Sequence, residues 1–228
     1  MRNRLAEGPA DELHGIPLHT VHLAEGDVGG RDVLDIGCGF GWFELWALSH
    51  GVGSITGTEA TAGDLETARK HIEGPGVRLE VASALDLPFD AASFDTVVCW
   101  EVLEHIPKGT EAQAFREIRR VLRPGGVLYL STPHASVVSN VLDPAWWLIG
   151  HRHYRLATLQ RLADGAGLSV EMLEVRGGVW LVGSILDLYV AKWIFRRRPF
   201  LEQLVNRRVD AELAGSGGFA GCFMKCRA

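Results

Sequence analysis

The stretch Val33-Leu34-Asp35-Ile36-Gly37-Cys38-Gly39-Phe40-Gly41 restricts the fold of this 228-residue chain more than any other. A short apolar run around one acid predicts a buried strand, and the alternate glycines predict a tight turn at its end. Glycine has no side chain and takes positive φ, so backbone N–H groups in such a turn can come close to a ligand. Trp42-Phe43-Glu44-Leu45-Trp46-Ala47-Leu48 then reads as a helix, whose N-terminus adds partial positive charge at the same place. Strand, turn and helix together predict a nucleotide-type pocket at the first strand of an α/β sheet.

The glycine spacing selects among nucleotides. A dinucleotide fold uses G-x-G-x-x-G, with a pyrophosphate at the helix N-terminus. Here the glycines fall at 37, 39 and 41, and Trp42 stands where the third glycine of that pattern would be. Asp35 would repel a pyrophosphate but could receive an ammonium group. The stretch resembles motif I of the class I S-adenosylmethionine-dependent methyltransferases. That resemblance implies that Asp35 and the backbone of Gly37, Cys38, Gly39 and Gly41 hold the methionine end of S-adenosylmethionine.

Later segments extend the resemblance in order. Ser54-Ile55-Thr56-Gly57-Thr58-Glu59 reads as the second strand, ending on an acid. A carboxylate there can accept both ribose hydroxyls, and Ala60 follows it at the cofactor site. Arg78–Ala82 alternates as a third strand, and the next phrase, Ser83-Ala84-Leu85-Asp86-Leu87-Pro88-Phe89, resembles the family's adenine-facing loop. Ser83 occupies the position where the family usually has Asp, so a neutral hydroxyl replaces a carboxylate; Ala84 offers its backbone N–H.

Ser93–Trp100 has the continuous apolar run of a strand buried on both faces. It leads into Glu101-Val102-Leu103-Glu104-His105-Ile106-Pro107, which resembles the E-x-L-E-H-x-P phrase of ubiquinone- and menaquinone-type methyltransferases. Ligands of open parallel sheets lie beyond the strand carboxyl ends, so Trp100, Glu101 and His105 are expected beside the reacting methyl group. A helix over roughly 109–121 ends at Leu122-Arg123-Pro124-Gly125-Gly126, and Val127–Pro133 reads as the fifth strand. If the acceptor is an oxygen, His105 and then His134 are the candidate general bases.

The fold expected is therefore an α/β, Rossmann-like, doubly wound seven-stranded sheet with helices on both faces. It is mostly parallel, with an antiparallel seventh strand at 217–227. One domain is expected over 1–228: an N-terminal lid segment over 1–30, the cofactor-binding core over 31–176, and a helical insertion over 177–214. Hydrophobic content of 47% and charged content of 22% are globular values, and the net charge of −5 argues against a nucleic-acid-coating protein. Cys38, Cys99, Cys222 and Cys226 have neither zinc spacing nor a disulfide framework, which points to reduced thiols and the cytoplasm. The N-terminus has no long apolar stretch and reads as lacking a signal peptide. His14, His19 and His22 lack matching acid or cysteine ligands, so no metal is expected; the 13–23 segment reads as packing over the pocket.

Information about the acceptor lies in the remaining segments. Trp146, Trp147, His151, His153 and Tyr154 form a mixed aromatic and cationic stretch on a predicted loop, read either as an acceptor surface or as a core cap with solvated cations. The helix 158–166 and the strand 168–175 follow. Trp180–Phe195 is a very apolar helix preceding Arg196-Arg197-Arg198, with Arg207-Arg208 beyond. It is too short and too charged at Asp187 for a confident span. Two readings stay open: a roof over the acceptor pocket or homodimer seam, and a peripheral membrane contact through 180–198 at the inner face. Either implies a small apolar or lipid-linked acceptor. Outside the enzyme reading stand a non-catalytic methyltransferase-like scaffold, favoured by Ser83, and a nicotinamide oxidoreductase, disfavoured by the glycine spacing and Asp35.

Overall fold

The computed structural model describes residues 12–72, 74–143, 146–147, 150–196 and 202–228. A seven-stranded sheet runs through it, in the order β3-β2-β1-β4-β5-β7-β6. The strands are β1 (Asp32–Ile36), β2 (Ser54–Glu59), β3 (Val77–Val81), β4 (Phe94–Trp100), β5 (Leu122–Pro133), β6 (Ser169–Arg176) and β7 (Gly221–Arg227). The first five pair in parallel, and β7 lies antiparallel between β5 and β6. The switch point where strand order reverses falls between β1 and β4, the place at which open α/β sheets bind ligands.

Alternation along the central strands buries both faces. Leu34 and Ile36 of β1, Val97 and Cys99 of β4, and Leu128 and Leu130 of β5 pack on one side, against α4 (Glu111–Val121) and α6 (Leu156–Gly165). Val33, Val98, Trp100, Val127 and Tyr129 point to the other side, against α1 (Ile16–Ala24) and α2 (Trp42–Ser49). Phe115 and Phe43 are fully buried, one on each side; burying such a side chain contributes about 1.5–3 kcal/mol. The helix expected over 109–121 begins at Glu111. β5 starts at Leu122, five residues earlier than the sequence pattern suggests, because Leu122 pairs with Phe94 before the register shifts at the glycines.

The opposite ends of the strands are locked by charge. Arg123 binds Asp32 at 2.9 Å and Asp95 at 2.8 Å, and Asp95 also accepts the Asp32 amide. The ligand-side loops have their own anchors. Arg120 of α4 donates to the Phe89 and Leu87 carbonyls at 2.6 and 2.8 Å, while Glu117 accepts the Leu87 amide. These contacts hold the loop after β3, which carries Ser83 and Ala84.

The insertion contains more than one helix. α7 (Val179–Tyr189) continues through a π-type turn, Val190–Phe195, and stops at Arg196, whose φ is +51°. α8 (Glu202–Ala214) then packs back on it through Val205, Val209 and Leu213. Glu212 of α8 accepts the amides of Gly178, Trp180 and Leu181 at 2.9–3.0 Å. Those are orphan donors of the α7 N-terminus, so a carboxylate is well placed there. Asp210, two residues earlier, accepts the Gly15 amide at 2.6 Å and pairs with His14 at 2.8 Å. One helix thus fastens the starts of both α1 and α7. No described helix is long and apolar enough to cross a membrane.

Candidate active site

The glycine turn is built as its spacing requires. Gly37, Gly39 and Gly41 have φ of +81°, +56° and +80°. The Gly37 and Cys38 amides bond to the Thr58 carbonyl at 2.9 and 3.0 Å, tying the turn to β2. A Cβ on Gly37 would sit 2.4 Å from Val102, and one on Gly41 would sit 1.8 Å from Ile72. A Cβ on Gly39 meets nothing within 4 Å, so the middle of the turn faces open space. Glu59 Oε1 accepts the Gly39 amide at 2.7 Å, which places the β2 carboxylate at the same opening. Burial raises the Glu59 pKa, opposed by the N–H bonds from Gly39 and Ala60.

That opening is a cavity of about 610 Å³. Gly37, Gly39, Glu59, Ala60, Ser83, Ala84, Glu101 and His105 line it, so strand ends far apart in sequence meet in one place. Asp64, Phe40, Val102 and Ile106 add to the wall. Ser83 Oγ accepts the Leu85 amide, which shapes the adenine-side loop.

Several expected residues lie elsewhere. Asp35 is buried beneath the turn near Glu44, and Asp35 Oδ1 and both Glu44 carboxyl oxygens have no hydrogen-bond partner among the described residues. Burial, then the charges of Glu44 and Glu59, push Asp35 well above the ordinary carboxylate range; burial raises Glu44 as well. Cys38 is buried below the turn with Leu65, Ala68 and Ile72. Trp100 packs on the α1–α2 side against Phe43 and Tyr129, with its Nε1 buried and unpartnered among the described residues. Strand alternation explains it: Cys99 and Trp100 must face opposite sides.

Glu101 follows with φ +54°, outside the strand conformation, and joins the larger cavity to a smaller one of about 50 Å³. Its Oε1 is buried without a hydrogen-bond partner among the described residues, and Glu104 accepts from Thr132 at 3.0 Å. Burial raises both acids, most strongly Glu104, which also feels the Glu101 charge. The smaller cavity is mostly apolar: Ile16 of α1, Leu142 of α5 (Val137–Leu142), and Leu181, Val182 and Ile185 of α7. His153 and Asp143 supply its polar edge and bond at 2.8 Å; His153 also meets Asn140 at 2.7 Å.

His105 lines the larger cavity, and burial together with the Arg152 charge lowers its pKa. Both causes favour the neutral ring, the form that can accept a proton. The His151 ring stands edge-on to it at 4.4 Å, with Nε2 buried and unpartnered among the described residues. Arg152 holds the loop behind them, donating to the Leu103 and Ile106 carbonyls and pairing with Glu111 at 2.7 Å. His134 lines neither cavity; its Nδ1 meets the Phe219 carbonyl at 3.1 Å. Tyr154 is buried, donating to the Leu103 carbonyl at 2.9 Å. Trp146 lies against His153, whereas Trp147 is exposed. Glu44, Glu104 and Arg152 were not picked out as site residues from sequence. For Glu44 the available signal is a lone acid within an apolar helix.

Comparison with known proteins gives a consistent picture. A family model described as a methyltransferase domain matches residues 34–130. A Mycolicibacterium smegmatis protein described as a probable S-adenosylmethionine-dependent methyltransferase is 34% identical over 215 residues, covering 89% of this chain and 80% of that protein. A ubiquinone biosynthesis O-methyltransferase of Xanthomonas oryzae pv. oryzae is 38% identical over 137 residues, which is 56% of this chain and 54% of its own length. The match therefore spans about half of that relative. Among solved structures, an S-adenosylmethionine-dependent methyltransferase from Mesorhizobium loti superposes with a TM-score of 0.63 at 20% identity, covering 92% of this chain and 98% of that one. Geranyl diphosphate methyltransferase gives 0.67 at 17%, covering 92% and 84%. At such identities these two likenesses show the fold.

Proposed function

Because this chain belongs to the S-adenosylmethionine-dependent methyltransferases, we propose that it methylates a small apolar or lipid-linked acceptor. The observation that carries the acceptor reading is the smaller cavity, walled by Ile16, Leu142, Leu181, Val182 and Ile185 and adjoining the larger one at Glu101. The relatives named as ubiquinone biosynthesis O-methyltransferases support an apolar acceptor.

The residues of the larger cavity fit the cofactor. Glu59 offers a carboxylate to ribose hydroxyls, the turn at Gly39 leaves room for close backbone approach, and Ser83 and Ala84 offer a hydroxyl and an amide to adenine. Asp35 acts from beneath the turn, buried with Glu44. S-adenosylmethionine, when bound, supplies a methyl group already activated by the sulfonium. Positioning and water exclusion by the protein can therefore carry much of the rate.

For an oxygen acceptor, neutral His105 takes the hydroxyl proton at its free ring nitrogen, and Arg152 keeps the loop under it in place. His153, with both ring nitrogens held by Asn140 and Asp143, shapes the rim of the apolar pocket. α7 serves as the roof. Cytoplasmic location with peripheral membrane contact through 180–198 belongs to the same proposal, supported by the buried thiols and the basic run after the roof helix.

The test is a methyl-transfer assay with S-adenosylmethionine against a panel of apolar phenols, hydroquinones and polar phenols, read as S-adenosylhomocysteine release. Turnover confined to the apolar members supports the reading. Turnover only with polar acceptors contradicts it.

A further inference from the structure

We propose that α5, the segment at Trp147 and the far end of α7 form a docking face for an anionic lipid bilayer, set against the acceptor pocket. The proposal rests on the apolar-acceptor reading and the membrane contact proposed with it, and adds α5 and Trp147 to the surface, the anionic charge of the bilayer and a route of supply.

α5 is amphipathic in the reverse sense. Its polar residues point inward: Ser139 Oγ donates to the Phe219 carbonyl at 2.9 Å, and Asn140 bonds to His153. Its apolar residues point outward, with Val137 81% and Val141 60% exposed, and Val138 and Leu142 exposed as well. A helix of a water-facing surface places valines the other way round. Trp147, 68% exposed, continues the face, with Nε1 donating to the Val141 carbonyl. α5 packs beside α7, where Leu188, Val190 and Ile194 are exposed, Ile194 at 68%. Leu204 of α8 is exposed too. Large apolar side chains exposed on elements packed side by side suit an interaction site.

Charge selects the occupant. The whole chain carries −5, yet residues 192–208 contain Lys192, Arg196, Arg197, Arg198, Arg207 and Arg208 against the single acid Glu202. Arg196, Arg207 and Arg208 are exposed. Apolar side chains beside a basic cluster match the interface of an anionic membrane. An isologous dimer would seat this face on its own copy and bring two like-charged basic stretches to one seam, which Arg196, Arg207 and Arg208 would oppose. Leu142 of α5 and Ile185 of α7 also line the smaller cavity, so a bilayer on this face lies next to the pocket. An apolar acceptor would then enter from lipid.

The experiment is co-sedimentation of the full chain with vesicles of phosphatidylcholine alone and of phosphatidylcholine mixed with phosphatidylglycerol, at low and high salt. The variants are Val137→Asp combined with Val141→Asp, Ile194→Asp alone, and Arg196→Glu. Cofactor titration and size-exclusion light scattering accompany each. The expected result is association with the anionic vesicles only, weakened by salt, lost in the aspartate variants and reduced at least several-fold in Arg196→Glu, with cofactor affinity unchanged. Ile194→Asp keeps the test decisive if the double variant does not fold. Absence of sedimentation, or equal sedimentation of the variants, overturns the proposal. So does a dimer that the aspartate variants dissociate, which would make the face a seam between copies. Failure here combined with turnover of apolar phenols would sink the docking face and the membrane contact through 180–198 and leave the acceptor reading standing.

Discussion

Asp35 and Glu44 lie buried together beneath the glycine turn, and Asp35 Oδ1 and both carboxyl oxygens of Glu44 have no hydrogen-bond partner among the described residues. Burial holds both acids above the ordinary carboxylate range, and the Glu44 charge raises Asp35 further. Glu44 therefore has a structural role in the site, setting the charge of Asp35 under the ligand-facing amides.

The pair has a pH signature. An acid with a raised folded pKa makes the folded state bind more protons than the unfolded chain above the ordinary pKa, so stability falls as pH rises through that window. Glu44→Gln removes one titrating group and leaves an amide that can donate to Asp35. The cofactor-free variant should be more stable than wild type at neutral pH by about 1–3 kcal/mol, the scale of one buried polar mismatch. The gain should fade near the ordinary carboxylate pKa of about 4. Thermal melts across pH test this, and a variant less stable at neutral pH would show that the Glu44 charge is needed.

Gly41 and Gly39 should separate folding from binding. Both hold positive φ, which costs a larger residue about 1–2 kcal/mol. Gly41→Ala also drives a Cβ into buried Ile72, adding about 1–3 kcal/mol of overpacking. Gly39→Val meets no protein atom within 4 Å at its Cβ and should fold with only the backbone penalty. It fills the cavity, however, and should abolish cofactor binding. Melting curves and titrations of both variants read the difference, and normal binding by Gly39→Val would refute the glycine-turn site.

Much of this arrangement is legible in the sequence because its signals are local. The glycine turn and the acid closing β2 each name their own backbone geometry, and β2 spans Ser54–Glu59 as expected, whereas Leu122–Gly126, read as a turn, belongs to β5. What escaped depends on contacts distant in sequence. Trp100 follows its strand's alternation into the core opposite the cavity, although its place at the end of β4 suggested a ligand contact. Tyr154 and His134 spend their polar atoms on backbone carbonyls of Leu103 and Phe219. α8 was hidden within a basic stretch, and its role appears only through Asp210 and Glu212, which fasten α1 and α7.

Arg152 should control His105. It binds the loop carbonyls on either side of His105 and pairs with Glu111, both side chains being largely buried. Arg152→Met should cost about 2–4 kcal/mol, slightly below the range for breaking a fully buried ion pair because some solvent reaches it. Burial is the larger cause of the lowered His105 pKa, and the Arg152 charge is the second. Removing that charge should raise the pH at which His105 titrates by NMR, shrinking the neutral fraction at mildly acidic pH. An unchanged His105 titration would mean that Arg152 does not tune it.

The most direct test of the cofactor site is calorimetric titration of S-adenosylmethionine and S-adenosylhomocysteine into wild type and Glu59→Ala. Glu59 joins the turn to β2 through its 2.7 Å bond with Gly39 and offers the carboxylate for ribose. Wild type should bind both ligands, and the variant should lose about 1–3 kcal/mol, the scale of hydrogen bonds to a charged group, in a chain that still folds. Equal affinity in the two proteins would contradict the assignment of this cavity to the cofactor.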